Sequence, residues 1–266
     1  MSDIAVIILT KDEKLHIGGC LERIAALSLR QVFVVDCFST DGTQEQVTNT
    51  SAVLRLCVKT IEHEWQGNQA AQFQWALDNL PIEAKWILRL DADEYLTDEL
   101  IAEIKDKLPR LVDDVDGVVL KRRHVVGWLG SRWIKRGMYP TKILRLFRKG
   151  YGRSDMKIMD EHIVVRRRVV EFENDFVDHS LISFEEWKEK HRNYAKREAQ
   201  SYLSGERSTG EKPPRRMPTT NCRATSALSS ISASATSSSS DSSTASPVSA
   251  GTSGKASGTA GWWIVR

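Results

Sequence analysis

The triplet Asp91-Ala92-Asp93 stands at the end of the apolar run Trp86–Leu90. Residues two apart in an extended strand end point to the same side, so its two carboxylates converge. Hard oxygen ligands of this kind suit a divalent cation, which neutralises phosphate oxygens. Alone, the triplet is common, and its surroundings make it specific. The run Ile4–Leu9 leads into Thr10-Lys11-Asp12-Glu13, and Val32–Val35 leads into Asp36, followed by Ser39-Thr40-Asp41-Gly42-Thr43. A single acid at a strand end is usually a helix cap. Acids at three strand ends on one rim repel one another unless a cation or a donor-rich ligand sits among them. The sequence has no GxGxxG and no GxxxxGK[ST], so phosphates are not cradled by the dinucleotide fingerprint or by a P-loop.

These residues need strands that end together. Ile4–Leu9 is a nearly continuous apolar run, as in a parallel strand covered on both faces. Glu13–Leu27 carries Leu15, Ile17, Leu21, Ile24 and Leu27 at helical spacing. Val32–Val35 reads as the next strand, then a turn, then a helix from about Thr43. Val53–Val58 is expected as a third strand, Asn68–Leu80 as a helix stopped by Pro81, and Trp86–Leu90 as a fourth strand. Thr97 is a plausible N-cap for a helix to Leu108, and Gly117–Leu120 a fifth strand. The alternation predicts an α/β fold: a mostly parallel sheet with helices on both faces, whose ligand binds beyond the carboxyl ends of the strands.

Composition sets the bounds. In 266 residues, 41% are apolar and 27% charged, with a net charge of +3. This is ordinary for a globular chain and excludes a histone-like or acidic-tail protein. Four cysteines without a CxxC pair exclude a disulfide scaffold and read as buried thiols. No apolar run approaches the roughly 18–20 residues of a spanning helix, and the start lacks the order of a signal peptide. A cytoplasmic protein is therefore expected. About thirty of residues 219–260 are Ser, Thr or Ala, too little apolar surface to offset the cost of ordering a backbone. The expected organisation is a folded domain over 1–207 and a disordered tail over 208–266. The tail reads as a slipped coding frame, with a Ser-rich linker as the alternative.

The segments IAVIILTKDEKLHIGGCLERI, VFVVDCFSTDGT and WILRLDADEYLTDEL resemble the opening motifs of the family 2 glycosyltransferases, which have the Rossmann-like GT-A fold. GWLGSRWIKRGMYPTKILRLFRKG and MDEHIVV resemble the branch that includes bacterial lipopolysaccharide-core β-glucosyltransferases. The resemblance covers about residues 2–205. It implies inverting transfer of a sugar from a nucleotide-sugar, usually UDP-linked. It places Thr10 and Glu13 on the nucleoside and Asp36 on a base NH, where a carboxylate fits uracil and guanine alike. Asp93 would hold Mn²⁺ or Mg²⁺ on the diphosphate with Asp91 nearby. Lys11-Asp12 stands where the family commonly has Lys-Asn.

Inverting transfer needs a base for the acceptor hydroxyl. In Asp160-Glu161-His162 the family pattern favours Glu161, then Asp160; the alternative is that one merely pairs with a nearby cation. His179 stands where such enzymes often close the metal site, and a structural histidine is the other reading. Arg145 and Arg148, in RLFR, belong to the family pattern and are expected at the nucleotide-sugar. Residues 121–168 hold fifteen Lys or Arg and three acids, interleaved with Trp128, Trp133 and Tyr139. This suits a glycan or glycolipid acceptor and peripheral contact with an anionic membrane, here the inner face of a bacterial cytoplasmic membrane. Nucleic-acid binding uses the same ingredients and is not expected, and a plain solvated basic face is the bland reading. The rival functions are a sugar-phosphate nucleotidyltransferase, which would need a Gly-rich basic loop after the first strand, and a non-catalytic glycan-binding scaffold.

Overall fold

Ala5, Val6, Ile7 and Ile8 have no solvent exposure, so the first strand lies inside the sheet and is covered on both faces. In the computed structural model, residues 2–156 and 161–203 are described. Asp160 and the tail expected from 208 onward lie outside them. The chain order is β1 (Ser2–Thr10), α1 (Lys14–Ala25), β2 (Leu29–Asp36), α2 (Thr43–Leu54), β3 (Val58–Glu62), α3 (Gln69–Asn79), β4 (Trp86–Asp91), β5 (Glu94–Leu96), α4 (Asp98–Lys107), β6 (Val115–Val126), β7 (Arg132–Trp133), β8 (Thr141–Arg148), β9 (Gly152–Ser154), β10 (Ile163–Val165), β11 (Arg168–Ser180) and α5 (Phe184–Leu203).

The main sheet runs β3-β2-β1-β4-β8-β6-β11-β5, with β7 on β6. β3, β2, β1 and β4 are parallel. β8 is antiparallel to both neighbours, β11 is parallel to β6, and β5 closes the sheet antiparallel to β11. This is the mostly parallel, GT-A-like α/β architecture that the motifs imply. One face packs Val6, Ile8, Val34, Leu88 and Leu90 against Ile17 and Leu21 of α1, Val47 of α2 and Ile104 of α4. The other packs Ile7, Phe33, Val35 and Ile87 against Phe73 and Ala76 of α3 and Ile163 and Val165 of β10. The alternation of the two sets follows the period of two along each strand.

Local signals account for most boundaries. Asn68 caps α3, its Oδ1 accepting from the Ala71 amide at 2.7 Å, and Thr97 caps α4 through the Leu100 amide at 3.2 Å. The strand expected over Val53–Val58 is a correction. Helix α2 continues to Leu54, Arg55 ends it in the left-handed region (φ 52°), and β3 starts only at Val58. Leu54 and Leu56 supply their apolar surface to the core from the helix end and the turn. β3 is an edge strand carrying Lys59 and Glu62, so its sequence lacks a buried strand's pattern. Cys20 and Cys37 are buried as expected, but Cys57, in that turn, is exposed.

β11 breaks register with β6 between Glu171 and Asp175. Glu103 of α4 holds the break, accepting from the Glu173 amide (2.8 Å), the Asn174 amide (2.9 Å), Asn174 Nδ2 (2.9 Å) and Lys107 Nζ (2.8 Å). Burial raises the Glu103 carboxyl pKa, but these bonds outweigh burial and hold it below the ordinary value. Glu103→Ala should cost about 1.5–3 kcal/mol, the worth of hydrogen bonds to a charged group. A folded-state pKa below the unfolded one gives stability that is present above the unfolded value of about 4.3 and lost as pH falls through the folded value. Urea titrations of wild type and variant should therefore converge in acid; a gap that persists there contradicts this account.

Candidate functional site

The strand ends meet in register. Thr10 pairs with Asp36, Asp36 with Glu62, and Leu9 with Asp91. The rim expected from the sequence therefore brings Thr10, Asp36 and Asp91 side by side at the carboxyl ends of β1, β2 and β4.

The two loops above β1 and β2 cap one another. Asp41 Oδ2 accepts from the Lys14 amide at 3.0 Å and Oδ1 from the Thr43 amide at 3.0 Å, so one carboxylate serves the first turns of α1 and α2. Thr43 Oγ1 accepts from the Glu13 amide at 2.8 Å, and Asp12 Oδ1 from the Thr40 amide at 2.8 Å. A carboxylate at a helix N-terminus also meets the positive end of its dipole. Burial opposes the charge on Asp41, but these bonds hold its pKa below the ordinary value. Gly42 makes the turn at φ +95°. Phe38 takes the left-handed region at φ 57° and stays half exposed at the rim.

Asp36 is wholly buried. Its carboxylate accepts from the Ser39 amide (2.8 Å), Ser39 Oγ (2.5 Å) and Gln44 Nε2 (2.8 Å), and the same Gln44 amide reaches Glu62 at 2.7 Å. Of about four lone-pair positions on a carboxylate, three are filled. Thr10 Oγ1 is buried with no partner. Glu13 Oε2 lies 2.6 Å from His16 Nδ1. His16 Nε2 accepts from the Leu181 amide at 2.9 Å, which ties the β11–α5 junction to α1.

At β4 the charges crowd. Arg89 and Arg145 lie in the sheet with 1% and 5% exposure. Arg145 donates to Glu94 and, at 3.1 Å, to Asp91. Arg89 stacks on Phe73 with its guanidinium 4.8 Å from the ring and donates to Glu161 Oε1 at 2.5 Å. Asp91 Oδ1 is buried, 3.6 Å from Arg89, and makes no hydrogen bond. Burial raises the Asp91 carboxyl pKa, yet Arg145, then Arg89 and Arg122, hold it below the ordinary value. Burial pushes Glu94 up to about 7, Asp91 adding to it and Arg145 opposing it.

β11 completes the rim. It pairs with β5 so that Asp178 faces Glu94, and the His179 amide donates to the Asp93 carbonyl at 2.8 Å. Asp178 is held by His124 Nδ1 at 3.1 Å and by Arg122 at 3.9 Å. Asp93 has its pKa raised well above the ordinary value by burial first, then by Asp178, with Glu13 and Asp91 adding to it. His179 Nε2 pairs with Ser131 Oγ at 3.1 Å. Among the described residues, no cluster of three or more His, Cys, Asp or Glu has metal-holding geometry. The donor chemistry nevertheless fits a hard divalent cation that also takes oxygens from its ligand. Two carboxylates two residues apart, one with an orphaned buried oxygen and the other strained by like charge, are what such a cation would relieve.

Residues 5–172 match the model of the family described as Glycosyl transferase family 2. The chain belongs to glycosyltransferase family 2. This family 2 chain is similar in structure to S. aureus TarS residues 1–349 in complex with UDP-GlcNAc (21% identity, TM-score 0.42, 56% of this chain and 46% of that one). It is also similar to the Pyrobaculum calidifontis mannosyltransferase PcManGT in complex with GDP-Man and Mn²⁺ (25%, 0.39, 46% and 36%). A third is glucosyl-3-phosphoglycerate synthase from Mycobacterium tuberculosis with Mn²⁺, UDP and glucosyl-3-phosphoglycerate (14%, 0.36, 46% and 43%). The chain spans less than half the length of each. No curated protein matches it.

One expected site residue is displaced. Arg148 pairs with Trp86, the first residue of β4, at the amino end of the parallel strands and away from the rim. It donates to the Val115 carbonyl at 2.6 Å and the Val112 carbonyl at 3.0 Å, and stacks on Trp86 at 4.6 Å. β8 runs antiparallel, so its last residue leaves the site that Arg145 lines. Arg89, Glu94, Asp178, His124 and Lys190 are site neighbours that sequence reasoning did not assign. Arg89 alone had a clear signal, a charge within the apolar strand WILRLD that burial obliges to find a counter-charge. Arg148→Met should lower stability by about 1–3 kcal/mol, since the buried Val115 carbonyl loses a donor, with nucleotide affinity unchanged. A folded Arg148→Met protein that binds nucleotide less tightly would return Arg148 to the site.

Proposed function

We propose that this family 2 glycosyltransferase moves a sugar, with inversion, from a nucleotide-sugar to a glycan or glycolipid of a bacterial envelope. UDP-glucose is the donor and lipopolysaccharide core the acceptor class of this reading. The observation that carries it is the alignment of Thr10, Asp36 and Asp91 on one rim, with Asp93 beside them.

Thr10 Oγ1, buried and unpartnered, offers a hydrogen bond to the nucleoside. Asp36 has one lone-pair position left for a base NH, and Gln44 can yield another. Phe38 offers its exposed ring to the base. The crossed caps through Asp41 and Thr43 hold the two loops at fixed spacing, which is the preorganisation a nucleoside pocket needs. Asp93, with Asp91 and His179 beside it, would hold Mn²⁺ or Mg²⁺. When bound, the cation supplies Lewis-acid stabilisation of the charge that builds on the departing diphosphate. Arg145 holds Asp91 in place from within the sheet.

Glu161 stays first choice for the base, ahead of Asp160. Arg89 fixes its Oε1, which orients the carboxylate. The exposed Trp128 and Leu129 lie in the same segment as Arg132, Lys135 and Arg136. This aromatic and basic lip fits a headgroup-bearing acceptor at the inner face of the cytoplasmic membrane. Among the described residues, no helix is long and apolar enough to cross a membrane.

Donor hydrolysis, measured for UDP-glucose with and without Mn²⁺, separates an enzyme from a glycan-binding scaffold. Asp93→Ala should abolish most metal-dependent turnover with little loss of stability; unchanged turnover sinks the assignment. Glu161→Gln should lower kcat by about 10²–10⁴ if Glu161 accepts the proton, with donor affinity barely moved. A stability loss of about 3–5 kcal/mol, the cost of breaking a buried pair, with kcat preserved would make Glu161 a counter-ion for Arg89 and move the base to Asp160 or elsewhere.

A further inference from the structure

Lys190, on α5, reaches back over the sheet rim, its Nζ 4.0 Å from Asp93 Oδ2. Three elements present carboxylates to it: Asp93 after β4, Glu13 before α1 and Asp178 on β11. Desolvation works against the ammonium, yet Asp93 foremost, then Tyr194, Glu13 and Asp178, raise its pKa to about 12. The other acids have their own cations. Asp91 and Glu94 share Arg145, Glu161 has Arg89, and Asp178 has Arg122, with the His124 ring beside it at 3.1 Å. Among the described residues, Lys190 is the one basic side chain within 4.0 Å of the Asp93 carboxylate.

We propose that Lys190 is the resident counter-cation of Asp93 and competes with the divalent cation for that carboxylate. The inference rests on the metal reading of Asp93. Its geometry is that of an exchangeable partner. At 4.0 Å the ammonium is beyond hydrogen-bond distance, so it balances charge without being locked in place. A lysine is a point charge on a flexible stem, unlike the forked guanidinium groups that fix Asp91 and Glu94. The helix bearing it has its own seat. Trp128 packs on Phe184 at 4.7 Å and on Trp187 at 6.2 Å, and His16 holds the Leu181 amide just ahead of the helix. The side chain can therefore leave Asp93 while the helix stays. The diphosphate of a nucleotide is an alternative anion for the ammonium, so nucleotide and metal should bind cooperatively, each relieving what opposes the other.

The test is Mn²⁺ binding to the full chain without nucleotide, read from the electron paramagnetic resonance of free Mn²⁺. K190M should bind Mn²⁺ about tenfold more tightly than wild type, a coupling of ordinary size. K190R, which keeps the charge, should stay close to wild type. K190Q replaces K190M if circular dichroism shows that the methionine variant folds poorly. Equal or weaker Mn²⁺ binding by the folded neutral variant overturns the proposal, and so does equal tightening in K190R. D93N tells the two readings apart. If it binds Mn²⁺ as wild type does, the metal reading of Asp93 falls; if it loses Mn²⁺ while the neutral variant matches wild type, only the role of Lys190 falls.

Discussion

Like charge crowded at one rim of a sheet is the constraint around which this protein is arranged. Asp178, Glu13 and Asp91 all oppose the charge on Asp93 there, and Asp91 and Asp178 oppose that on Glu94. Unit charges 4 Å apart interact by about 4 kcal/mol at an effective dielectric near 20. Several such repulsions would consume much of a domain's net stability of about 5–15 kcal/mol. The protein meets this with guanidinium groups rooted in the sheet. Arg89 lies on β4 and Arg145 on β8, and each is buried beside an aromatic ring, Phe73 and Phe176. The antiparallel β8, inserted between β4 and β6, is what brings Arg145 under the acidic turn. A strand order that looks like an interruption of the parallel sheet is thus the means of placing the cation.

The Asp36 side of the rim uses a different device. Around Asp36 and Asp41 the carboxylates are held by amides, hydroxyls and the Gln44 side chain, and among the described residues no arginine pairs with them. Neutral donors stabilise a carboxylate without filling the site with charge. The cross-caps also make the two loops one unit: Asp41 cannot leave α2 without uncapping α1. The rim therefore divides into a rigid side whose carboxylates are held by uncharged donors and a side whose carboxylates are held by guanidinium groups.

The legible parts of the sequence were those set by local rules. β1, β2 and β4 are apolar runs, Asn68 and Thr97 are caps, and the acids follow the strands directly, so the parallel strands and their rim follow from order alone. Where the outcome depended on partners distant in sequence, the residues gave less. β3 was misplaced because an edge strand need not be apolar. Arg148 was grouped with Arg145 because they share a motif, but three residues of strand span about 10 Å, enough to leave the site when the strand runs away from the rim. Glu103 and Lys190 carried no local signal at all. One is an ordinary helical Glu until β11 breaks register beside it, and the other an ordinary helical Lys until α5 is laid across the rim.

That division between guanidinium and ammonium bears on how the site works. Arg145 keeps its proton throughout and forks onto two acids, so Asp91 and Glu94 are bound from the protein side. A carboxylate held in this way contributes charge and shape but is slow to change partners. Asp93 differs from both. Burial, then its acidic neighbours, raise its pKa, its nearest cation among the described residues is a lysine beyond bonding distance, and its backbone carbonyl is pinned to the His179 amide, so that it can exchange partners without moving its chain. On the proposed metal reading, the second carboxylate of the triplet is then the one that exchanges ligands, and the first is the fixed charge that helps to draw the cation in. The asymmetry follows from which side of the sheet supplies the counter-charge: a strand behind Asp91, and a helix in front of Asp93.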